Sequence, residues 1–405
     1  MEPIEPYLYS WSPRPPEHLK SVLIEDDSLR DGLQGAFTRK PTLQEKVDLM
    51  QRCARVGVQR AMLGFPAISD KEYAESKVLL EQLRARELQL VPKFLARARI
   101  SDVEPIVRLH TETQVPLWVD FWIAASPLRR RVERWELGEL LGRVRETGRY
   151  LTGKKIHWAF SLEDSTRTPP EDLEAVFTTA MEAGASELVV CDTVGESTPT
   201  GSASIFAHTR ELAARKGWGG LISWHGHNDR GLAVANALAV AEAGAHVISG
   251  SFLGIGERTG CTPIEQVILY LHQTGNRLYR VDQLYPMCTE LSRVTEVPIP
   301  DNAPVVGRQT FATCTGTHVS AILKGRELGR SFEDLVFSSV PAAELGREQD
   351  ILVGPTSGIA AARHVLERLE IPGGEALARE LLEHAKQQAR WLTPDDVRHF
   401  CQGAR

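Results

Sequence analysis

Two histidines and one aspartate carry the strongest chemical signal in the sequence. His225 and His227 are separated by one residue at the end of an apolar run, and residues two apart on a strand point to the same face. Two neutral imidazoles on one face can share a metal ion. Asp31 follows another apolar run and adds a carboxylate ligand, which leaves coordination positions open for substrate or water. The alternative is a pair of hydrogen-bonded histidines without a metal.

Three further polar residues are candidates for the chemistry. Arg30 precedes Asp31, and its guanidinium is predicted to stabilise charge on a developing enolate oxygen, with a surface ion pair as the alternative. Glu163 is predicted to act as an acid or base or to position substrate, and otherwise to cap the next helix. Thr193 is predicted to hydrogen-bond a substrate carboxylate, and otherwise to serve a turn.

Eight short apolar runs are predicted to be the strands that position these residues. A helix ending in glycine precedes three of them, at Gly57, Gly184 and Gly244, where glycine supplies the left-handed residue that ends a helix. Repetition of this join indicates βα units and a parallel sheet. The predicted strands are Val22–Glu25, Arg60–Leu63, Leu88–Phe94, Leu117–Ile123, Lys155–Phe160, Glu187–Cys191, Leu221–Trp224 and Val247–Phe252.

This pattern predicts an α/β fold, a (β/α)8 TIM barrel. Eight βα units over ~230 residues match the usual size of such a barrel. The clearest helix is predicted over Thr42–Val56, because Thr42 and Glu45 have the spacing of a capping box. A doubly wound open sheet is the second possibility, but no glycine-rich dinucleotide turn follows the first strand. In a TIM barrel the chemistry lies at the carboxyl ends of the strands, where the unusual polar residues fall.

The C-terminal part of the chain has a different character. Proline-rich segments at Val297–Pro300 and Asn302–Pro304 predict a linker. Helices are predicted beyond it, near Gly358–Leu369 and Gly374–Arg390. We therefore expect an N-terminal extension at residues 1–20, a catalytic barrel at residues 21–280, and a linker with a mainly helical C-terminal subdomain at residues 281–405.

Composition excludes several other classes of protein. The 47 basic and 53 acidic residues give a net charge of −6, which provides no basic surface for nucleic acid or anionic lipid. No apolar run approaches the ~20 residues of a membrane span, and the first residues lack the apolar core of a signal peptide. The six cysteines are scattered without CxxC spacing, so we expect reduced thiols in a cytoplasmic protein.

Several motifs together resemble the metal-dependent TIM-barrel superfamily that joins or splits acyl-CoA carbon–carbon bonds. Its members include 2-isopropylmalate, homocitrate and citramalate synthases and 3-hydroxy-3-methylglutaryl-CoA lyase. The matching segments occur in family order and are Ser28–Gln34, Gly64–Pro66, Phe160–Asp164, Asp192–Gly195, His225–Asp229 and Gly254–Arg258. Two later segments, Gly316–Lys324 and Val353–Gly358, look like the synthase subdomain that the lyase branch lacks.

The resemblance implies a Claisen-type condensation of acetyl-CoA, or a related acyl-CoA, with a 2-oxo acid to give a 2-alkylmalate and CoA. It implies that Asp31, His225 and His227 bind a divalent metal ion, which would be Mg, Mn or Zn. Arg30 would stabilise charge on the new alkoxide or the enolate. His318 would assist deprotonation of the acyl methyl group, reaching the active site of a neighbouring subunit in a homodimer.

The resemblance also implies a pocket for the 2-oxo acid. Ser161, Glu163 and Thr193 would line it, and Gln34 and Asp120 are further predicted substrate-binding residues. Asp120 departs from the family, whose synthases usually have histidine at this position. The 2-oxo acid is therefore expected to be an unusual one, as in specialised metabolism.

Other departures concern the surroundings of the pocket. Cys261 occupies a position that is often asparagine in isopropylmalate synthases, and no tyrosine near Phe337 matches the partner of the tail histidine. The cluster Arg129–Arg131 follows the fourth predicted strand. It is predicted either to bind an anionic distal group of the substrate or to form a solvated helix face.

Two other functions are compatible with the same residues. A lyase or aldolase would use the same metal site to cleave a 3-hydroxy acid, although the segment with His318 argues against this direction. A barrel without catalytic activity could instead bind a partner protein.

Overall fold

The structure is a computed structural model that describes residues 3–403. Residues 1–2 of the predicted N-terminal extension and residues 404–405 of the predicted C-terminal subdomain lie outside the described residues. The chain forms two compact units. One comprises residues 14–298, and the other comprises the described parts of residues 1–13 and 299–405.

In the first unit, eight parallel strands close into a barrel in the order of the sequence. This confirms the predicted TIM barrel and excludes the alternative, a doubly wound open sheet. The strands are β1 (Leu23–Asp26), β2 (Arg60–Gly64), β3 (Val91–Arg97), β4 (Trp118–Ala124), β5 (His157–Glu163), β6 (Glu187–Asp192), β7 (Leu221–Gly226) and β8 (Val247–Gly250).

Helices surround the barrel and connect its strands. They are α1 (Leu43–Val56), α2 (Asp70–Ala85), α3 (Ile100–Thr113), α4 (Pro127–Glu133), α5 (Leu137–Gly153), α6 (Pro170–Ala183), α7 (Pro199–Arg215), α8 (Ala233–Glu242), α9 (Ile264–Gln273) and α10 (Leu284–Thr295). The predicted capping box is present at α1, where Thr42 accepts from the backbone of Glu45 and Glu45 accepts from the backbone of Thr42. Gly57 and Gly184, each following a helix, have φ of +90° and +101°, which confirms their predicted left-handed role.

The third strand is displaced from its predicted position. The sequence predicts a strand at Leu88–Phe94, but β3 runs from Val91 to Arg97. Lys93, with no exposed surface, faces the barrel interior with its charge paired. Lys93 therefore lies inside both the predicted and the observed strand, and the prediction ends at Phe94, three residues before β3 ends.

The second unit is mainly helical, as predicted. Its elements are β9 (Ala312–Thr313), α11 (Gly316–Leu328), α12 (Arg330–Leu335), β10 (Asp350–Ile351), α13 (Ile359–Arg368), α14 (Gly374–Lys386) and α15 (Pro394–Gly403). The largest apolar cluster of this unit joins α13, α14 and α15 through residues such as Val365, Leu381 and Val397. The helix predicted at Gly374–Arg390 ends earlier, at Lys386.

The six cysteines are free thiols, five of them buried and Cys314 partly exposed. Among residues 3–403, no helix combines the length and the apolar composition that crossing a membrane requires.

Candidate active site and metal centre

A cavity of about 310 Å³ lies inside the barrel and opens toward the carboxyl ends of its strands. Every predicted site residue except His318 lines this cavity. These residues are Arg30, Asp31, Gln34, Asp120, Ser161, Glu163, Thr193, His225 and His227. The barrel therefore brings together residues that lie almost 200 positions apart in the chain, as strand-end positions in a TIM barrel do.

Asp31, His225 and His227 form the one group of three or more possible metal ligands found among the described residues. Their ligand atoms all lie within 4.8 Å of one another. The two Nε2 atoms are 3.3 Å apart, and each lies 3.6 Å from Oδ2 of Asp31. All three residues are buried, with at most 8% of their surface exposed. This donor set of two imidazoles and one carboxylate suits a divalent cation with open coordination positions.

The hydrogen bonds of the two imidazoles fit metal binding. His227 Nδ1 lies 3.2 Å from the carbonyl oxygen of Gly260, an acceptor only, so Nδ1 carries the proton and Nε2 presents a lone pair to the cluster. His225 Nδ1 contacts the hydroxyl of Ser249 at 3.3 Å and Asp27 Oδ2 at 3.6 Å. Both Nε2 atoms therefore face Asp31 and are available as ligands.

The charges of the cluster suit the same role. Burial and the neighbouring His225 lower the pKa of His227 to about 4, so this imidazole is neutral at pH 7. Burial alone would raise the pKa of Asp31, but Arg30 and His225 hold it well below its usual range. Burial opposes protonation of His225, whereas Asp31 and Asp27 raise the pKa of this histidine. An ionised carboxylate beside a neutral imidazole is what a cation needs.

Arg30 is held beside the metal-ligand candidates by two aspartates. Its Nε donates to Asp27 Oδ1 at 3.0 Å, its Nη2 pairs with Asp27 Oδ2, and its Nη1 donates to Asp31 Oδ2 at 3.1 Å. The guanidinium side chain is 14% exposed. A fixed cation of this kind, at the wall of the cavity, can stabilise an oxyanion without reorganisation.

Glu163 ends β5 at the edge of the cavity and pairs with an arginine of α4. Arg129 Nε lies 3.2 Å from Glu163 Oε1, with the two side chains 32% and 21% exposed. Burial raises the pKa of Glu163, and Arg129 acts in the opposite direction. Thr193, which follows β6, accepts from the backbone N–H of Asp164 at 2.8 Å, so its own hydroxyl proton is available to a ligand.

Asp120 and Ser161 lie deeper in the cavity. Ser161 Oγ donates to Asp120 Oδ1 at 2.7 Å, and Lys93 Nζ lies 3.1 Å from Asp120 Oδ2. Lys93 also contacts Glu25 at 2.9 Å and Glu187 at 3.4 Å. Asp120 is thus the cavity-lining end of a buried charged network inside the barrel.

The remaining predicted residues occupy different surroundings. Gln34 ends a short 3-10 helix, Gly32–Gln34, and is exposed where it lines the cavity. His318 lies on α11 in the second unit, and its ring stacks on Phe337 with a centroid distance of 4.0 Å. Cys261 is buried, and its Sγ lies 3.1 Å from Ser251 Oγ. Its role in specificity stays a prediction.

Sequence reasoning missed several functional candidates. Asp27 lines the cavity and binds Arg30, and burial raises its pKa to about 7. The available signal was its spacing of two residues from Glu25 of β1, which directs the side chain of Asp27, the first residue after β1, to the same inner side of the barrel as that of Glu25. The pairing of Arg129 with Glu163 left no local signal, because it joins two different elements. Arg129 and Arg130 are half-buried and paired, whereas Arg131 is exposed.

The chain belongs to the HMGL-like family, which residues 21–296 match. Homocitrate synthase AksA of Methanopyrus kandleri is 32% identical to it over 90% of this chain and 87% of that protein. The 2-isopropylmalate synthase of Sulfolobus acidocaldarius is 29% identical over 91% of each chain. Homocitrate synthase of Pyrococcus horikoshii is 29% identical over 92% of this chain and 97% of that one.

Solved structures show the same fold. HMG-CoA lyase from Bacillus subtilis superposes with a TM-score of 0.58 at 20% identity, covering 69% of this chain and 96% of that one. The HMG-CoA lyase from Acinetobacter baumannii, solved with coenzyme A and 3-methylmalate, gives a TM-score of 0.56 at 18% identity. It covers 68% of this chain and 92% of that one.

Proposed function

We propose that this protein is a metal-dependent acyltransferase of the 2-isopropylmalate and homocitrate synthase type. It condenses acetyl-CoA, or a related acyl-CoA, with a 2-oxo acid and releases a 2-alkylmalate-type product and CoA. The observation that carries the proposal is the convergence of Asp31, His225 and His227 in the open cavity of a closed barrel. Relatives near 30% identity over about nine-tenths of the chain are named as such synthases, which supports the reaction class.

Asp31, His225 and His227 would hold a divalent cation, for which Mg, Mn and Zn are the candidates. When bound, such a cation supplies a Lewis acid for the oxygens of a 2-oxo acid. Arg30 adds a fixed positive charge next to this place and stabilises the oxyanion that develops during condensation. Gln34, Ser161, Glu163, Thr193 and Asp120 bind and orient the acceptor.

The reaction needs one proton removed from the acyl methyl group. We assign this proton to His318 as general base, in agreement with the resemblance of its segment to the synthase subdomain. The resulting carbon nucleophile attacks C2 of the 2-oxo acid and forms the new carbon–carbon bond, and the former keto oxygen takes up a proton. Water then cleaves the thioester, which gives the free carboxylate and the CoA thiol.

The synthase direction is favoured over the lyase direction by the extent of the similarity. The synthase relatives match about nine-tenths of this chain, whereas the lyase structures cover only 68% and 69% of it. The second unit, with α11 and His318, is therefore shared with synthases. We also propose that the protein acts as a homodimer in the cytoplasm, where its free thiols stay reduced.

The test is CoA release by the purified protein. The metal-free protein is loaded with Mg²⁺, Mn²⁺ or Zn²⁺ and mixed with acetyl-CoA and a panel of 2-oxo acids, and free thiol is detected. We expect release only when metal and acceptor are both present, and mass spectrometry should find the condensed product. Release that persists after chelation, or no release with any acceptor, would contradict the proposal for acetyl-CoA.

Matched variants separate the site from general damage. His225→Gln should abolish thiol release because it removes a ligand nitrogen. His208→Gln changes a histidine of α7 that pairs with Glu174 outside the cavity, at 3.0 Å, and should leave the rate unchanged. Cleavage of a 3-hydroxyacyl-CoA without detectable condensation would instead support the lyase reaction.

A further inference from the structure

We infer that the deep end of the cavity selects a short 2-oxo acid whose distal end is uncharged and carries a hydrogen-bond donor, such as a hydroxyl group. A 2-oxo acid that ends in a second carboxylate is rejected. This inference rests on the proposed function, because it takes a 2-oxo acid to be the occupant. The residue that carries it is Asp120.

The strand register places Asp120 at the deep end. Asp120 lies on β4 two residues before Trp122, so both side chains share the inner face and Asp120 lies farther from the carboxyl end. Trp122 is level with Ser161 of β5, and Asp120 is level with Leu95 of β3. The metal-ligand candidates lie at or beyond the strand ends. A 2-oxo acid held there by its oxo and carboxylate oxygens extends its distal carbons toward Asp120.

At the deep end of the cavity, the hydrogen bonds within the protein leave mainly acceptor groups available to a bound 2-oxo acid. The Ser161 hydroxyl donates its proton to Asp120 Oδ1 at 2.7 Å, and Lys93 Nζ lies 3.1 Å from Oδ2. A carboxylate accepts only, and each of its oxygens retains a second lone pair. Arg30, Gln34, Trp122 and Thr193 are donors that lie nearer the carboxyl ends of the strands. Two further donors line the cavity and already have partners: the Ser249 hydroxyl contacts His225 Nδ1 at 3.3 Å, and Cys191 Sγ contacts the carbonyl oxygen of Val189 at 3.8 Å. A hydroxyl on the distal carbon matches the acceptors that remain.

The charges at this end oppose a second anion. Three buried carboxylates, those of Glu25, Asp120 and Glu187, share two buried cations, Lys93 and Arg60. The network therefore carries a net charge of −1 in an interior where Lys93 has no exposed surface. A ligand carboxylate about 6 Å from Asp120, at an effective dielectric constant of about 20, is disfavoured on the order of 100-fold.

Binding to the Mn²⁺-loaded protein tests this without turnover. Isothermal titration calorimetry compares 2-oxopentanoate with 2-oxoglutarate, which replaces the terminal methyl by a carboxylate. A second pair, 2-oxobutanoate and 4-hydroxy-2-oxobutanoate, differs by one hydroxyl. We expect 2-oxopentanoate to bind on the order of 100-fold more tightly than 2-oxoglutarate, and the hydroxylated acid to bind several-fold more tightly than its parent. Equal or tighter binding of 2-oxoglutarate would overturn the inference, whatever the variants do.

Two substitutions assign the discrimination to Asp120. In Asp120→Asn the ratio between 2-oxopentanoate and 2-oxoglutarate should fall at least tenfold, and Lys93 keeps Glu25 and Glu187 as partners. The control is Asp192→Asn, a buried carboxylate that accepts from Thr166 at 3.0 Å outside the cavity, and its ratio should equal that of the wild type. If the ratio between 2-oxopentanoate and 2-oxoglutarate is unchanged in a folded Asp120→Asn protein, Asp120 is not the residue that discriminates between them.

The outcome is separable from that of the proposed function. A protein that shows this discrimination but releases no CoA would refute the condensation and leave the selectivity standing. A protein that releases CoA while binding 2-oxoglutarate as tightly as 2-oxopentanoate would refute the selectivity and leave the condensation standing.

Discussion

The ion pair between Arg129 and Glu163 makes the pH dependence of the reaction testable. Arg129→Gln removes the guanidinium that lies 3.2 Å from the Glu163 carboxylate. Burial already raises the pKa of Glu163, and its other charged neighbours Asp164, Glu257 and Glu133 act in the same direction. Arg129 is the cation that opposes them. Its loss therefore raises the pKa of Glu163 further and disfavours the ionised form.

The size of the shift follows from the exposure of the pair. The two side chains are 32% and 21% exposed, so solvent screens them, and such pairs contribute up to about 1 kcal/mol. Since 1.36 kcal/mol corresponds to one pKa unit, the pKa of Glu163 should rise by about 0.7 unit. Activity that needs ionised Glu163 is lost as the pH falls through this pKa. The acid limb of the kcat/KM profile should therefore move to higher pH by the same amount.

The assay is CoA release at saturating metal across the acid range, for the wild type, Arg129→Gln and Arg130→Gln. Arg130 is the matched control, because it lies on the same helix and pairs with Asp172 at 2.8 Å instead of with Glu163. Its substitution should leave the acid limb in place. An acid limb that does not move in Arg129→Gln, or moves equally in Arg130→Gln, would refute the reasoning.

Four further predictions concern stability, proton transfer and the sharing of active sites between subunits. Lys93→Met removes one of the two cations that pair with the buried carboxylates of Glu25, Asp120 and Glu187. The free energy of unfolding in urea should therefore fall by about 3–5 kcal/mol. A decrease of less than about 1 kcal/mol would contradict the stabilising role of Lys93 in this network. Thr42→Ala removes the side-chain cap of α1 and should cost about 1 kcal/mol in the same measurement, whereas no loss would exclude a stabilising role for the cap. His318→Ala should lower kcat by ~10²- to 10⁴-fold with unchanged metal affinity, and an unchanged kcat would remove it as the base. Mixing His318→Ala with His225→Ala should restore activity through hybrid dimers, and failure to do so would argue against sharing of sites between subunits.

Much of the fold was predictable because its signals are local. The glycines after helices and the Thr42–Glu45 capping box act within one turn of chain, and both are present as predicted. The buried Lys93 of β3 shows the limit of such signals. Lys93 is tolerated in the core because it pairs with Glu25 of β1 and Glu187 of β6. The sequence of β3 alone does not reveal these partners, because they belong to other strands.

In the candidate site, too, some features could be predicted from the sequence and others could not. The convergence of Asp31, His225 and His227 could be predicted because a closed barrel gathers all strand ends in one place. The orientation of each imidazole could not, since it depends on Ser249 in the neighbouring strand β8 and on Gly260 in the connection that follows β8. The depth of Asp120 likewise required the register between neighbouring strands, which the sequence of one strand does not specify.

The central claim is that Asp31, His225 and His227 share one divalent cation. Electron spin echo modulation of the Mn²⁺-loaded protein tests this most directly, because it detects histidine nitrogens bound to the ion. We expect one Mn²⁺ per chain with two coordinated imidazole nitrogens, one nitrogen in His227→Gln, and much weaker binding in Asp31→Asn. A bound Mn²⁺ without histidine nitrogens, or undiminished affinity in Asp31→Asn, would contradict it.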